Sequence, residues 1–295
     1  MASTAEDKRR LSCWEICASH DQVTSHSLHR YLRSLVCYTS IHPFALKKLN
    51  MQLKSFLTIC ALSYSTLAAG PGQWSRTINF PLVPAAGAIE PASGQLLVWS
   101  AYRTDNFAID RENITQTAVY NPADGSVQLF PVAYTEHDMF CPGTSYDFNG
   151  NLLVTGGDTS AATSLFRKGQ WSWSKMAPMR RARGYQSSTT LSDGRIFTIG
   201  GSWSGGRGGK DGEVWDGSTW TMLPNAKVAP MLTANRQGIF RSDNHAWLFA
   251  WKGGSVFQAG PSKAMNWYGT SGTGSVTPAG QRASDGDAMC GPAVM

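Results

Sequence analysis

A tight turn followed by a short apolar strand recurs along this chain, and the recurrence constrains the fold more than any single residue does. Four segments share it: Ser93-Gly94 before Leu96-Leu97-Val98-Trp99, Asn149-Gly150 before Leu152-Leu153-Val154-Thr155, Asp193-Gly194 before Ile196-Phe197-Thr198-Ile199, and Asp243-Asn244 before Ala246-Trp247-Leu248-Phe249. Their starts at 93, 149, 193 and 243 are 56, 44 and 50 residues apart. Trp173, Trp220 and Trp267 form a second series, spaced 47 and 47 residues, and the first two enter similar turns ending in Pro178 and Pro224. Two of the apolar strands end in a glycine pair, Gly156-Gly157 and Gly200-Gly201.

Periods of this length, with a Gly-Gly strand end and a late tryptophan, predict an all-β chain of kelch-type β-propeller blades, each a four-stranded antiparallel sheet. Asn-Gly and Asp-Gly are favoured two-residue hairpin turns because such turns need positive φ. Thirty glycines and a charged fraction of 16% suit tight turns between sheets covered on both faces. About four blades are counted, and after Cys290 the chain runs Gly291-Pro292-Ala293-Val294-Met295 and stops, so an incomplete propeller ending mid-blade is expected. An open blade face and an unpaired strand edge would make such a chain aggregate readily.

Residues 70–295 are the expected folded part. Residues 51–69 read as a secretory signal peptide: Met51-Gln52-Leu53-Lys54, an apolar run from Phe56 to Leu62, and small residues around a cleavage point near Ala68 or Ala69. The run is too short and polar for a stable membrane anchor. Met51 is a natural start, which leaves residues 1–50 as an N-terminal extension outside the fold. They hold seven Lys or Arg (Lys8, Arg9, Arg10, Arg30, Arg33, Lys47, Lys48) against four acids (Glu6, Asp7, Glu15, Asp21), so 7 − 4 = +3 of the chain's net +6 comes from them. The body carries no basic stripe with interleaved aromatics, and nucleic acid is not indicated as a partner. Asn113-Ile114-Thr115 is an N-glycosylation acceptor sequence, in keeping with a secreted, extracellular protein. Of six cysteines only Cys141 and Cys290 follow the signal segment. Two such cysteines invite a single disulfide, but Cys290 occupies the same pre-strand position in a later repeat, which would place the two on well-separated blades.

Cys141 and Tyr185 share a register. Fifteen residues lead from Cys141 to Gly156 and fifteen from Tyr185 to Gly200, although the two lie 185 − 141 = 44 residues apart. A thiol and a phenol at matching positions of neighbouring blades approach one another, and such a pair can be cross-linked into a redox-active side chain.

Residues 72–295 resemble the N-terminal part of the propeller of galactose oxidase and related radical-copper alcohol oxidases. The resemblance rests on His137-Asp138-Met139-Phe140-Cys141-Pro142-Gly143, Ala182-Arg183-Gly184-Tyr185-Gln186-Ser187-Ser188, Gly200-Gly201-Ser202-Trp203-Ser204-Gly205-Gly206 and Arg241-Ser242-Asp243-Asn244-His245-Ala246-Trp247, four blocks in order. It implies a thioether between Cys141 and Tyr185, with Tyr185 as copper ligand and seat of a protein radical and Trp203 stacked over the thioether. It implies oxidation of a primary alcohol to an aldehyde while O2 becomes H2O2. Phe107 and Arg241 match residues lining the sugar site, the guanidinium offering a fork to paired hydroxyls, which favours a galactose-like substrate. The family's copper also needs two histidines and a second tyrosine. His137 and His245 stand in neither ligand position, and one phenolate does not satisfy copper(II), so the chain is expected to be an inactive portion of such an oxidase. The competing reading is a kelch module that binds carbohydrate or a protein without redox chemistry.

Overall fold

A computed structural model describes residues 72, 74–107, 113–132, 134–234, 242–282 and 286–288. The signal segment, the extension, Arg241 and Cys290 lie outside the described residues. Residues Thr77–Met295 form one compact unit. The described part is all-β apart from two 3₁₀ turns, Ala229–Met231 and Lys252–Gly254.

Among the described residues sixteen strands make four antiparallel sheets, each in simple up-and-down order. Sheet 1 holds β1 (Ala86–Ile89), β2 (Leu96–Trp99), β3 (Thr115–Tyr120) and β4 (Val127–Val132). Sheet 2 holds β5 (Gly143–Tyr146), β6 (Leu152–Thr155), β7 (Thr163–Arg167) and β8 (Ser172–Lys175). Sheet 3 holds β9 (Ser187–Thr190), β10 (Ile196–Ile199), β11 (Glu213–Trp215) and β12 (Trp220–Met222). Sheet 4 holds β13 (Trp247–Trp251), β14 (Ser255–Gly260), β15 (Ala264–Gly269) and β16 (Ser275–Gln281). Three of the first strands neighbour one another, β9 lying against both β5 and β13. The arrangement is consistent with a propeller-like fold.

Alternation along each strand explains how the sheets stack, since successive side chains point to opposite faces. In sheet 2, Leu152, Val154 and Phe166 join Leu97, Trp99 and Val119 of sheet 1 in one buried cluster. Leu153 and Leu165, one residue out of phase, join Ile196, Trp215 and Trp220 of sheet 3. In turn Phe197, Ile199 and Val214 pack with Val256 and Tyr268 of sheet 4. An inner strand such as β6 is therefore buried at all four positions.

Two repeat markers fall differently from the sequence expectation. Leu96–Trp99, Leu152–Thr155 and Ile196–Ile199 are second strands of their sheets, but Trp247–Trp251 is the first strand of sheet 4, and the hairpin turn of that sheet is Lys252-Gly253-Gly254. Trp173 and Trp220 lie on fourth strands, while Trp267 lies on β15, a third strand. Its indole packs on Phe257 and Trp251 within its own sheet.

Candidate functional site

The glycine pairs that end β6 and β10 bring neighbouring sheets into contact beside the site. Gly157 N–H donates to Arg183 O (3.0 Å) and Gly201 N–H to Asp243 O (3.1 Å). All four glycines have positive φ, and a Cβ at Gly200 would lie 2.0 Å from Asp243 O. Only glycine meets both demands. These contacts fix the residues two positions before Tyr185 and His245.

Cys141, Tyr185 and His245 occupy the same place in three successive sheets and share a left-handed backbone, with φ of 52°, 63° and 54°. They are linked in series. Tyr185 N–H donates to Cys141 O (3.0 Å), and His245 N–H donates to Tyr185 O (3.1 Å). Left-handed φ is uncommon for non-glycine residues and costs energy that the surroundings must supply. Here it aims three reactive side chains at one place.

The Tyr185 side chain lies near enough to the Cys141 thiol to act on its ionisation as a hydrogen-bond partner. Burial pushes the thiol pKa up, the hydrogen bond to Tyr185 opposes this, and Asp158 and Asp138 add to the rise. Cys141 is the one cysteine among the described residues and is not in a disulfide. Half-buried Asp158 is itself pushed up to about 6 by burial, and its Oδ2 has no hydrogen-bond partner.

Trp203 and His245 flank the phenol. The Trp203 ring centroid is 5.4 Å from that of Tyr185 at an interplanar angle of 58°, and the His245 imidazole stands edge-on at 5.3 Å and 85°. Trp203 is tilted relative to the Tyr185 ring and is 45% exposed. Phe107 lies parallel to Phe140, the residue before Cys141, at 4.9 Å and 13°. The structure therefore assembles Cys141, Tyr185, Trp203 and Phe107 in one neighbourhood. Asn113 is half-buried, and its Oδ1 accepts from Thr159 Oγ1 (3.0 Å).

The fastening of these residues is hidden in the sequence. Arg183 is fully buried and spends all five N–H donors. Nε (3.0 Å) and Nη2 (2.8 Å) go to Glu213 Oε1, Nη1 goes to Gly200 O (2.7 Å) and Lys210 O (3.0 Å), and Nη2 also reaches Asp211 O. Glu213 further accepts Arg180 N–H (2.7 Å) and Arg181 N–H (3.0 Å), so the run into Tyr185 is clamped at Arg180, Arg181 and Arg183. Asp243 accepts Ser202 N–H (2.8 Å) and Ser202 Oγ–H (2.5 Å), fixing the residue before Trp203. His245 was legible in principle, since it too lies fifteen residues before a strand-end glycine, 245 + 15 = 260.

Among the described residues no three His, Cys, Asp or Glu side chains are placed to share a metal ion. The donor these residues offer a copper ion is the Tyr185 phenol oxygen. That set is short of what copper(II) takes, and no reaction step through the metal follows from it.

Comparison with known proteins places the chain. The chain is similar to a copper alcohol oxidase: a solved structure of a novel fungal alcohol oxidase with catalytic diversity among the AA5 family, in complex with copper, is 47% identical with a TM-score of 0.69, over 74% of this chain and 46% of that one. The particular relative is galactose oxidase. Two curated galactose oxidase sequences of Gibberella zeae are each 58% identical over 241 residues, 80% of this chain. The chain spans 35% of the length of those relatives. No family model matches.

Proposed function

We propose that this chain carries the cysteine-tyrosine half of a secreted radical-copper oxidase site, one that converts a primary alcohol of galactose type to an aldehyde. Overall, RCH2OH + O2 gives RCHO + H2O2. The observation that carries the reading is the convergence of Cys141 and Tyr185 from neighbouring sheets, joined by the Tyr185 N–H to Cys141 O hydrogen bond (3.0 Å) and flanked by Trp203. The sheets that hold them are read as kelch-type blades.

In a complete site Tyr185 would be one of the residues holding copper, which would supply one-electron redox chemistry there, and Cys141 and Tyr185 would carry the thioether. What the chain's own residues do is more limited. The sulfur donates electron density into the phenol ring, Trp203 and His245 restrict water around it, and Phe107 presents an apolar face next to Cys141. Arg241 is assigned to substrate hydroxyls by resemblance. With no group of three His, Cys, Asp or Glu side chains placed to hold a metal among the described residues, the 295-residue polypeptide assayed alone is expected neither to hold copper tightly nor to oxidise galactose.

The test is a chimera in which residues 72–295 replace the matching segment of the Gibberella zeae galactose oxidase. Copper-loaded chimera should release H2O2 from galactose, and Cys141→Ser should lower that rate by orders of magnitude. A chimera that folds and takes up copper but is inactive, with Cys141→Ser behaving no differently, would favour the non-catalytic binding module.

A further inference from the structure

Lys210 is a buried lysine, 2% exposed, without a carboxylate partner among the described ion pairs. Its Nζ donates to three backbone carbonyls: Ala182 O, Ser204 O (3.2 Å) and Gly205 O (3.0 Å). An ammonium has three protons and no acceptor, so its donor capacity is fully used. The three carbonyls are not scattered. Ala182 belongs to the run into Tyr185, and Ser204 and Gly205 directly follow Trp203.

The two segments approach too closely to be held by side-chain packing alone. A Cβ at Gly205 would lie 2.3 Å from Ala182 Cβ, and one at Gly184 would lie 2.5 Å from Ser204 Oγ. Carbonyl oxygens converging at such an approach repel one another unless a cation sits among them. The Trp203 loop is otherwise glycine-rich (Gly205, Gly206, Gly208, Gly209), with no side chains at those positions to pin it.

We propose that Lys210 is a positioning residue whose ammonium ties the Trp203 loop to the run into Tyr185 and so sets the tilt of the indole over the phenol. Its catalytic consequence rests on the oxidase reading above, but the tie is a property of the copper-free chain. The groups that act on Lys210 are Arg183, Arg181, Asp243 and Glu213. Burial first, and then the two arginines, bring its pKa down to about 8, while Asp243 and Glu213 oppose the fall. A neutral amine has two protons for three carbonyls and no charge, so the tie weakens as pH rises through that value.

The full copper-free chain labelled with 5-fluorotryptophan tests this by fluorine NMR, with the Trp203 resonance assigned by Trp203→Phe. Between pH 7.5 and 9.5 the Trp203 signal is expected to move with a midpoint near 8. The core signals of Trp99, Trp215 and Trp220 should stay in place. Lys210→Met should give the high-pH Trp203 signal already at pH 7.5 and abolish the titration, and Lys210→Arg should hold the low-pH signal to pH 9.5. A Trp203 signal that does not titrate in the wild-type chain overturns the proposal even if the variants fail to fold. So does Lys210→Met shifting the core tryptophans as much as Trp203, which would mark a general structural role. Neither outcome bears on whether Cys141 and Tyr185 become cross-linked.

Discussion

The runs into Cys141 and Tyr185 deliver their last residue in the same left-handed backbone, yet they are fastened by different chemistry. Before Tyr185 the chain is held by charge, through the buried Arg183–Glu213 pair. Before Cys141 no buried ion pair is found among the described residues; besides the local Asp138 carboxylate, whose Oδ1 accepts Phe140 N–H (3.1 Å), the fastening runs through His137, Thr115 and Trp99. His137 is fully buried, with Nδ1 2.9 Å from Ser164 Oγ and Nε2 2.8 Å from Gly156 O. Thr115 Oγ1–H donates to His137 O (2.6 Å) and accepts Met139 N–H (2.9 Å), and Trp99 Nε1–H donates to Met139 O (3.1 Å). Backbone geometry can thus be repeated from sheet to sheet while the interactions that enforce it are free to differ. The two sides of the site should then respond differently to mutation and pH.

The largest effect is expected on the charged side. Arg183→Met leaves Glu213 buried and unpaired and strands several carbonyls, and breaking a buried ion pair in this way costs about 3–5 kcal/mol. Urea denaturation should show that loss. A cost under about 1 kcal/mol would mean that the pair does not hold the Tyr185 run.

On the neutral side the strongest handle is acid. Burial lowers the His137 pKa from 6.5 to about 4, against a smaller opposing effect of the hydrogen bond to Gly156 O. Between those values the unfolded chain binds the proton and the folded chain does not. The stability this group contributes is present in full above pH 6.5 and is lost as pH falls toward 4, amounting to about 3 kcal/mol over the window. His137→Gln should flatten the pH dependence of the denaturation midpoint there. Wild-type stability that stays level from pH 6.5 to 4 would break the comparison.

A smaller effect is expected from Thr115→Val, which removes a hydroxyl that both donates and accepts and leaves Met139 N–H unpaired, at about 1–3 kcal/mol. Thr115 also completes the Asn113 acceptor sequence, so the measurement belongs on unglycosylated protein. If this variant costs more than Arg183→Met, the ranking of the two sides is reversed.

Local chemistry explains which parts were legible in the sequence. Ser93-Gly94, Asn149-Gly150 and Asp193-Gly194 announce hairpins because Gly94, Gly150 and Gly194 need φ of 71°, 79° and 84°, and a turn residue is readable from its own conformational demand. The same logic misplaced sheet 4. His245 adopts positive φ without being glycine, and Asp243-Asn244 resembles a hairpin turn although it leads into a first strand. Cys141 and Tyr185 were legible because register alone joins them. Arg183, Glu213, Lys210 and Asp243 were not, since a buried charge reads from sequence like a surface one until its partners, from 5 to 41 residues away, are known.

The central claim is that the Cys141 sulfur and the Tyr185 ring are built to be joined. Mass spectrometry of proteolysed chimera, prepared with copper and oxygen, tests it most directly. The predicted result is a single species in which the peptides bearing Cys141 and Tyr185 are covalently linked and two hydrogen atoms lighter than their sum, absent from Cys141→Ser and Tyr185→Phe. Separate peptides carrying a free Cys141 thiol, from chimera that has folded and bound copper, would contradict the account.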